Sequence, residues 1–140
     1  MNLTELYGLA DADNIIIDEF PMQTRKAFSV MDLDGDCYIA IDPFQLESAQ
    51  EERIVLAHEI GHCETGSFYN RFAACDIRKK HENRADKWAI KHLVPQDELY
   101  EAVSAGFVET WELAEIFDVP AEFMARAIHW YQHHNMDFSA

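Results

Sequence analysis

Apolar residues recur along the chain at two spacings, which predict strands near the N-terminus and helices elsewhere. Between Leu3 and Ala10 the apolar side chains stand at helical spacing and predict a short helix. The run Ile15–Ile17 predicts a short buried strand. Apolar and polar residues alternate over Lys26–Met31, which predicts a second strand.

The helical period dominates the rest of the chain. Helices are expected at Arg53–Cys63, Lys79–Leu93, Gln96–Ala105, Glu109–Phe117 and Pro120–His133, with an irregular loop over 67–76. The last pair resembles the start of a DNA-binding helix-turn-helix. Its second helix, however, carries Glu122 and a single arginine, Arg126, so helices that pack a core are favoured over helices that read DNA.

A hairpin is expected where Asp34-Gly35 separates the strand Lys26–Met31 from a further strand at Cys37–Ile41. The aspartates from Asp32 to Asp36 also suggest the start of an EF-hand calcium loop. The sixth position of that loop is Cys37, where glycine is needed, and its twelfth is Pro43, where a glutamate is needed. A tight turn is therefore the better interpretation.

Capping signals delimit the helix in the middle of the chain. Ser48 and Glu51 have the S-x-x-E form of a capping box, in which each side chain satisfies a free backbone N–H of the first turn. Gly66 is a natural stop at the other end. The helix between them should have fixed ends.

Length and charge limit the classes of function. With 140 residues the chain predicts a single domain over 1–140, a catalytic core at 1–95 with C-terminal helices at 96–140 packed on it. The 26 acidic and 11 basic residues give a net charge of −15. Nucleic acid and anionic membrane would be repelled by most of such a surface, so neither is expected as a direct partner.

The cysteines and the absence of long apolar runs predict a compartment. Cys37, Cys63 and Cys75 are odd in number and form no C-x-x-C, so no disulfide framework is expected. No apolar run approaches the roughly 20 residues that span a bilayer, and no signal sequence is recognisable. A soluble protein of the reducing cytoplasm is the expectation.

The stretch with the clearest chemistry is His58-Glu59-Ile60-Gly61-His62, an H-E-x-x-H pattern inside a predicted helix. Residues four apart lie on one helix face, so His58 and His62 can bind one ion. Glu59 is offset around the helix and would serve as general base for a water molecule. Zinc is the ion expected, although a helix that carries these residues by chance was the alternative to exclude.

Glu82 supplies the third ligand that such a site needs if one coordination position is to stay open for water. It begins Glu82-Asn83-Arg84-Ala85-Asp86, so Glu82 and Asp86 share a helix face. Metal-binding histidines commonly donate their second N–H to a carboxylate, and Asp86 is expected to accept it from His58 or His62.

These residues resemble the gluzincin metallopeptidases and, more narrowly, the ImmA/IrrE family of metallo-endopeptidases. The resemblance rests on the H-E-I-G-H stretch and on Glu82-Asn83-Arg84-Ala85-Asp86-Lys87-Trp88-Ala89 running into Leu93-Val94-Pro95. Trp88 stands where the family usually has phenylalanine. Residues 28–95 carry the resemblance well, and the helix at Glu112 carries it weakly.

The resemblance implies an α+β, minimal zincin-like fold, with a small antiparallel or mixed sheet packed on the metal-binding helices. It implies one zinc ion per chain, held by His58, His62 and Glu82, with Glu59 as general base. It also implies cleavage of a helix-turn-helix transcriptional repressor, often in a mobile element or a stress response. Regulation would then reside in a partner or in the substrate.

Two further expectations concern the substrate. Its extended chain should pair with the strand formed by Cys37, Tyr38, Ile39, Ala40 and Ile41. The group that stabilises the oxyanion is left open among the following residues: Tyr69, Arg71, His81, His92 and His129.

Two competing functions remain open from the sequence. One is a non-proteolytic anti-repressor or antitoxin-like module that binds a protein and uses zinc as a structural clamp. The other is a structural domain without metal. A structural zinc site usually lacks an open position and an adjacent glutamate, so the pattern favours the enzyme.

Overall fold

The computed structural model describes residues 1–70 and 72–133. Over these residues the order of elements is α1 (Leu3–Ala12), β1 (Ile16–Glu19), β2 (Ala27–Met31), β3 (Cys37–Ile41), a 3₁₀ helix (Pro43–Gln45), α2 (Ala49–Thr65), α3 (Cys75–Leu93), α4 (Gln96–Ser104), α5 (Thr110–Phe117) and α6 (Ala121–His133). A small sheet accompanied by segregated helices confirms the α+β class.

The sheet has the order β1-β3-β2, with β3 in the centre. β2 and β3 are antiparallel, and Ser29 stands opposite Ile39, which confirms the expected hairpin. β1 runs parallel to β3 on its other side. Alternate residues of β3, Cys37, Ile39 and Ile41, are buried, since one face of the sheet packs against α2.

The expectation of a buried first strand is wrong. The strand begins one residue later than predicted, and Ile16 is 46% exposed, whereas the buried Ile15 precedes the strand. The physical reason is position: β1 is an edge strand with a single hydrogen-bonded neighbour, so an isoleucine run need not be enclosed there. A short apolar run does not distinguish these two situations.

The ends of α2 follow from its capping residues. The Glu51 N–H donates to the Ser48 side chain at 3.0 Å, and Gly66 closes the helix in the left-handed conformation, with φ of 64°. The second half of the expected capping box is wrong. The Glu51 carboxylate accepts from the N–H of Glu47, not Ser48, and also pairs with Lys26.

α3 begins at Cys75, four residues before the predicted start at Lys79. The added turn has no apolar period, because its side chains are exposed, and periodicity therefore cannot reveal it. Asp76 in this first turn stabilises the positive end of the helix dipole.

Cys37 and Cys63 form a disulfide bond, contrary to the expectation of free thiols, and Cys75 is free and exposed. Cys63 is therefore not simply a small apolar side chain of the core. The two cysteines are 26 positions apart in the sequence, and no local signal indicates that they pair. They meet because the first residue of β3 lies beside the last turns of α2, a contact that only the tertiary fold creates.

The chain divides into two compact units, at 1–89 and from residue 90 onward. In the first, α2 packs against α1 and against β2 and β3. Its fully enclosed side chains include Leu6, Ile39, Ile41, Leu56 and Ile60.

The unit that begins at Ile90 has its own core, in which α5 packs against α6. Its enclosed side chains include Leu99, Leu113, Phe123, Met124 and Tyr131. Whether the two units form the single domain expected from the sequence stays a prediction. In the described residues, no helix combines the length and apolarity needed to cross a bilayer.

Candidate metal centre

One face of α2 presents both histidines of the H-E-x-x-H stretch. His58 and His62 are one turn apart, and their ring centroids are 4.9 Å from each other. Leu56, Ala57 and Ile60 on the same helix are buried, which fixes α2 against the rest of its unit. The two rings are therefore held at the inner side of a firmly packed helix.

Gly61 allows α3 to approach this helix closely. A Cβ atom built on Gly61 would lie 2.7 Å from the backbone oxygen of Ala85 and 3.1 Å from Cβ of Trp88. The first distance is too short for a side chain and the second is a tight contact, and Ala85 is itself small and fully buried. The close approach brings Glu82, one turn before Ala85, beside the histidines.

The Glu82 carboxylate lies between the two imidazole rings. Its Oε2 is 2.7 Å from Nε2 of His58, and its Oε1 is 3.2 Å from Nε2 of His62. Hydrogen bonds from His58 and then His62 hold the pKa of the Glu82 carboxyl well below its usual range. The carboxylate is therefore ionised at neutral pH.

The other nitrogen of each ring is fixed by a separate acceptor. His58 Nδ1 lies 2.9 Å from a carboxylate oxygen of Asp86, and His62 Nδ1 donates to the Ser67 carbonyl at 2.6 Å. A carbonyl can only accept, so the proton of neutral His62 resides on Nδ1 and leaves Nε2 as the ligand atom. Partners of this kind orient metal-binding histidines.

Opposing effects set the pKa values of the two imidazole rings. Burial lowers the pKa of His58, but hydrogen bonds to Asp86 and Glu82 outweigh it and raise that pKa to about 10. Burial likewise lowers the pKa of His62, and the bonds to Glu82 and the Ser67 carbonyl raise it overall. A bound metal ion would compete with the protons that these rings share with Glu82.

The donor set fits a divalent metal ion. One ligand atom from each of His58, His62 and Glu82 lies within 4.8 Å of the other two. Among the described residues, these three form the group of histidine, cysteine or carboxylate side chains that is close enough to hold one metal ion. Two neutral imidazoles and one carboxylate suit zinc and other first-row metals. Each histidine is also oriented through its second nitrogen, which completes the arrangement that such sites require.

A cleft of about 250 Å³ opens beside this cluster. Glu59, 9% exposed, lines it together with His62 and Glu82, while the opposite wall comes from β2. Phe68 and Tyr69, from the loop after α2, complete the rim. The general base expected from the sequence thus lines the same space as two of the candidate ligands, His62 and Glu82.

A family comparison agrees with the geometry. The family model Peptidase_M78, described as the IrrE N-terminal-like domain, matches residues 17–129. The chain belongs to this family. Because the match covers most of the chain, including all three candidate ligands and Glu59, the resemblance expected from the sequence is confirmed at the level of a metallopeptidase family. The comparison with curated proteins returns no significant match.

In this IrrE-like chain the strand expected to bind the substrate is not available for pairing. β3, formed by Cys37, Tyr38, Ile39, Ala40 and Ile41, is bonded to β1 on one side and β2 on the other. That expectation is corrected, because both backbone edges of β3 are occupied. The order of the strands could not be predicted from the sequence, because no local signal indicates that β1 pairs in parallel with β3.

β2 has the open edge that β3 lacks. Within the described residues its other side pairs with no strand, and its residues from Ala27 to Val30 line the cleft. The N–H of Asp42 donates to the carbonyl of Lys26, and the N–H of Asp32 donates to the carbonyl of Asp36. Residues of β2 direct their backbone groups alternately toward β3 and away from it, and these two bonds show which residues do which. By that alternation, the N–H and C=O of Ser29 point away from β3, toward the open edge.

The structure separates the five residues left open as oxyanion donors. Tyr69 lies in the cleft, where its hydroxyl donates to Oε1 of Glu82 at 2.8 Å, and His81 stacks on the Tyr69 ring. His92 and His129 belong to the unit that begins at Ile90. Arg71 lies outside the described residues.

Two contributors to the site had not been singled out from the sequence. Ser67 acts through its backbone carbonyl, which residue identity does not reveal, although the predicted stop at Gly66 marks the turn that delivers it. The open edge of β2 depends on strand order. Both contributions come from the backbone, so side-chain patterns could not have found them.

Proposed function

We propose that this chain is a zinc-dependent endopeptidase that cleaves a helix-turn-helix transcriptional repressor. The observation that carries the proposal is the cluster of His58, His62 and Glu82, two of which, His62 and Glu82, line the same cleft as Glu59. Membership in a metallopeptidase family supports hydrolysis of a peptide bond. The repressor as substrate follows from the family resemblance of the sequence.

His58, His62 and Glu82 would hold the zinc ion. When bound, zinc would supply a Lewis acid that polarises the scissile carbonyl and lowers the pKa of a water molecule toward about 7. Asp86 and the Ser67 carbonyl keep the two imidazoles oriented, so that each Nε2 faces Glu82 and is the nitrogen that would bind the metal.

Glu59 acts as the general base. Its carboxylate faces the cleft and is nearly enclosed, which keeps it close to a reacting water molecule and away from bulk solvent. It takes a proton from the attacking water and passes it to the leaving amine. As the neighbour of His58 on α2, it is offset from the ligand face and serves the reaction, not the metal.

The substrate backbone binds along the open edge of β2. An extended segment can pair there with the outward N–H and C=O of Ser29, as in other cases of strand addition. Phe28 and Val30 lie on the same strand and line the cleft. The edge therefore orients a peptide next to Glu59.

The test is to incubate the chain and zinc with the product of any helix-turn-helix gene that neighbours its own, and to measure intact masses. We expect two fragments whose masses add up to that of the repressor plus one water, and no cleavage with a chelator present. Release of an intact repressor from DNA would instead support the non-proteolytic anti-repressor. No effect on the repressor's mass or DNA binding would contradict both.

A further inference from the structure

The hydroxyl of Tyr69 contacts the carboxylate that the proposed function assigns to the metal. It donates a hydrogen bond to Oε1 of Glu82 at 2.8 Å. Tyr69 stands in the loop that follows α2, while Glu82 lies on α3. The bond therefore ties the loop directly to the carboxylate, in addition to any contact between the helices.

The ring of Tyr69 is held in place by a second contact. It stacks on the imidazole of His81, with centroids 6.0 Å apart and planes inclined by 27°. His81 immediately precedes Glu82 on α3, so the Tyr69 ring contacts the same helical turn that carries the carboxylate. A phenol with a fixed ring loses little freedom when its hydroxyl makes a hydrogen bond.

The two oxygens of Glu82 are in different surroundings. Oε2 is 2.7 Å from His58 Nε2, whereas Oε1 accepts from Tyr69 and is 3.2 Å from His62 Nε2. A metal ion would replace the protons that the histidines share with this carboxylate. The Tyr69 hydroxyl carries its own proton, so its bond to Oε1 can persist with metal bound.

We propose that Tyr69 is a positioning residue for the metal ligand Glu82. By holding Oε1 through its hydroxyl, it leaves Oε2 as the ligand atom and keeps Glu82 from using both oxygens. One-oxygen ligation preserves the open coordination position that a hydrolytic site needs. The inference rests on the metal site of the proposed function, yet it concerns metal binding and can be measured without a substrate.

The test compares Tyr69→Phe with the wild-type chain and with Tyr7→Phe. Tyr69→Phe keeps the ring that stacks on His81 and removes the hydroxyl alone. Tyr7 is a matched control because its hydroxyl also donates to a glutamate, Glu52, at 2.8 Å but not at the candidate ligands. Zinc affinity is measured by competition with a chelating dye, and cobalt(II) is loaded as a spectroscopic probe.

We expect Tyr69→Phe to bind zinc about 10- to 100-fold more weakly, as is usual when a partner of a metal ligand is removed. The visible bands of its cobalt form should weaken, because a carboxylate that binds through two oxygens raises the coordination number. Tyr7→Phe should match wild type in both measurements. Circular dichroism shows whether all three chains are equally folded.

Two results would overturn the inference. One is a Tyr69→Phe chain with wild-type zinc affinity and cobalt spectrum, even if peptide cleavage falls, since Tyr69 would then act on the substrate itself. The other is an equal loss of affinity in Tyr7→Phe. Failure of the wild-type chain to bind metal would contradict the proposed function first, and it is recognised in the same titration.

Discussion

Glu59 is the proposed general base and is not one of the candidate metal ligands. It is adjacent to the candidate ligand His58 on α2 and lines the cleft together with His62. Its type and position were predicted from the sequence because an H-E-x-x-H helix fixes the relative directions of its side chains. The prediction needed no contact between distant segments, because all residues of the stretch lie on one helix.

Glu59→Gln should abolish cleavage while the metal is retained. The amide fills nearly the same volume but cannot take a proton, so we expect the rate of repressor cleavage to fall by about 100-fold or more. Elemental analysis of the same variant should give the metal content of the wild-type chain. Wild-type cleavage by Glu59→Gln would show that another group is the base.

Glu82, Asp86 and Tyr69 differ in how far the sequence could place them. Glu82 and Asp86 share a helix face, and their spacing matched a known family pattern. Tyr69 lies in an irregular loop, where no period fixes a side-chain direction. Local geometry predicts helical residues, whereas residues in loops become apparent only in the folded chain.

At the scale of elements, the contact between α2 and α3 assembles the site. Gly61 is the point of closest approach, with the Ala85 backbone oxygen where a side chain would be. In the sequence, the small residues Gly61, Ala85 and Ala89 indicate that the two helices can pack closely, whereas the atoms that meet are known only from the folded chain.

Gly61→Ala should destabilise the chain, although alanine is the better helix former. The added methyl group would overlap the Ala85 oxygen, and such overpacking costs about 1 to 3 kcal/mol. Gly8→Ala, in α1, is the matched control because nothing lies within 4 Å of its new Cβ, and it should be neutral or stabilise by up to about 1 kcal/mol. Urea unfolding measures both. Equal effects would contradict the close helix contact.

The open edge of β2 can be tested through its backbone. Ser29→Pro removes an N–H that points away from β3, so the fold should persist while substrate pairing is lost. The loss of one such bond, about 0.5 to 1.5 kcal/mol, should raise KM roughly 2- to 10-fold with little change in kcat. Ser29→Ala keeps the N–H and should behave as wild type.

A contrasting substitution checks the strand register. Val30→Pro removes an N–H that bonds to β3, so it should lower the free energy of unfolding, unlike Ser29→Pro. If Ser29→Pro left KM unchanged while the chain stayed folded, substrate pairing at this edge would be wrong.

At the scale of the whole molecule, the disulfide is the feature furthest from the sequence-based expectation. It joins Cys37, at the start of β3, to Cys63, the neighbour of the candidate ligand His62. Counting cysteines suggested free thiols because an odd number with no short spacing is typical of proteins without disulfides. Pairing over a long separation depends on topology, which the sequence pattern left undetermined.

The pairing predicts different numbers of reactive thiols before and after reduction. Iodoacetamide should modify Cys75 alone in the untreated chain and all three cysteines after reduction and unfolding. Intact mass spectrometry counts the added groups. Closing a loop over this separation contributes roughly 3 to 4 kcal/mol in the chain-entropy description, so Cys37→Ala should also lower the melting temperature. Three modified cysteines without reductant would exclude the bond.

The α+β class, the hairpin and most helices could be predicted because each depends on local periodicity and turn residues. Strand order, the parallel pairing of β1 and the open edge of β2 could not, since they depend on contacts between distant segments. The candidate ligands were predicted and the surfaces around them were not. The candidate ligands are therefore encoded more locally than the strand edge proposed to bind the substrate.

The most direct measurement is the zinc content of the purified chain beside that of Glu82→Ala. We expect one zinc per wild-type chain, removable by a chelator, and at least a tenfold loss of affinity in Glu82→Ala because only two protein ligands remain. A wild-type chain that binds no metal, or a Glu82→Ala chain that binds it equally well, would contradict the metal centre formed by His58, His62 and Glu82.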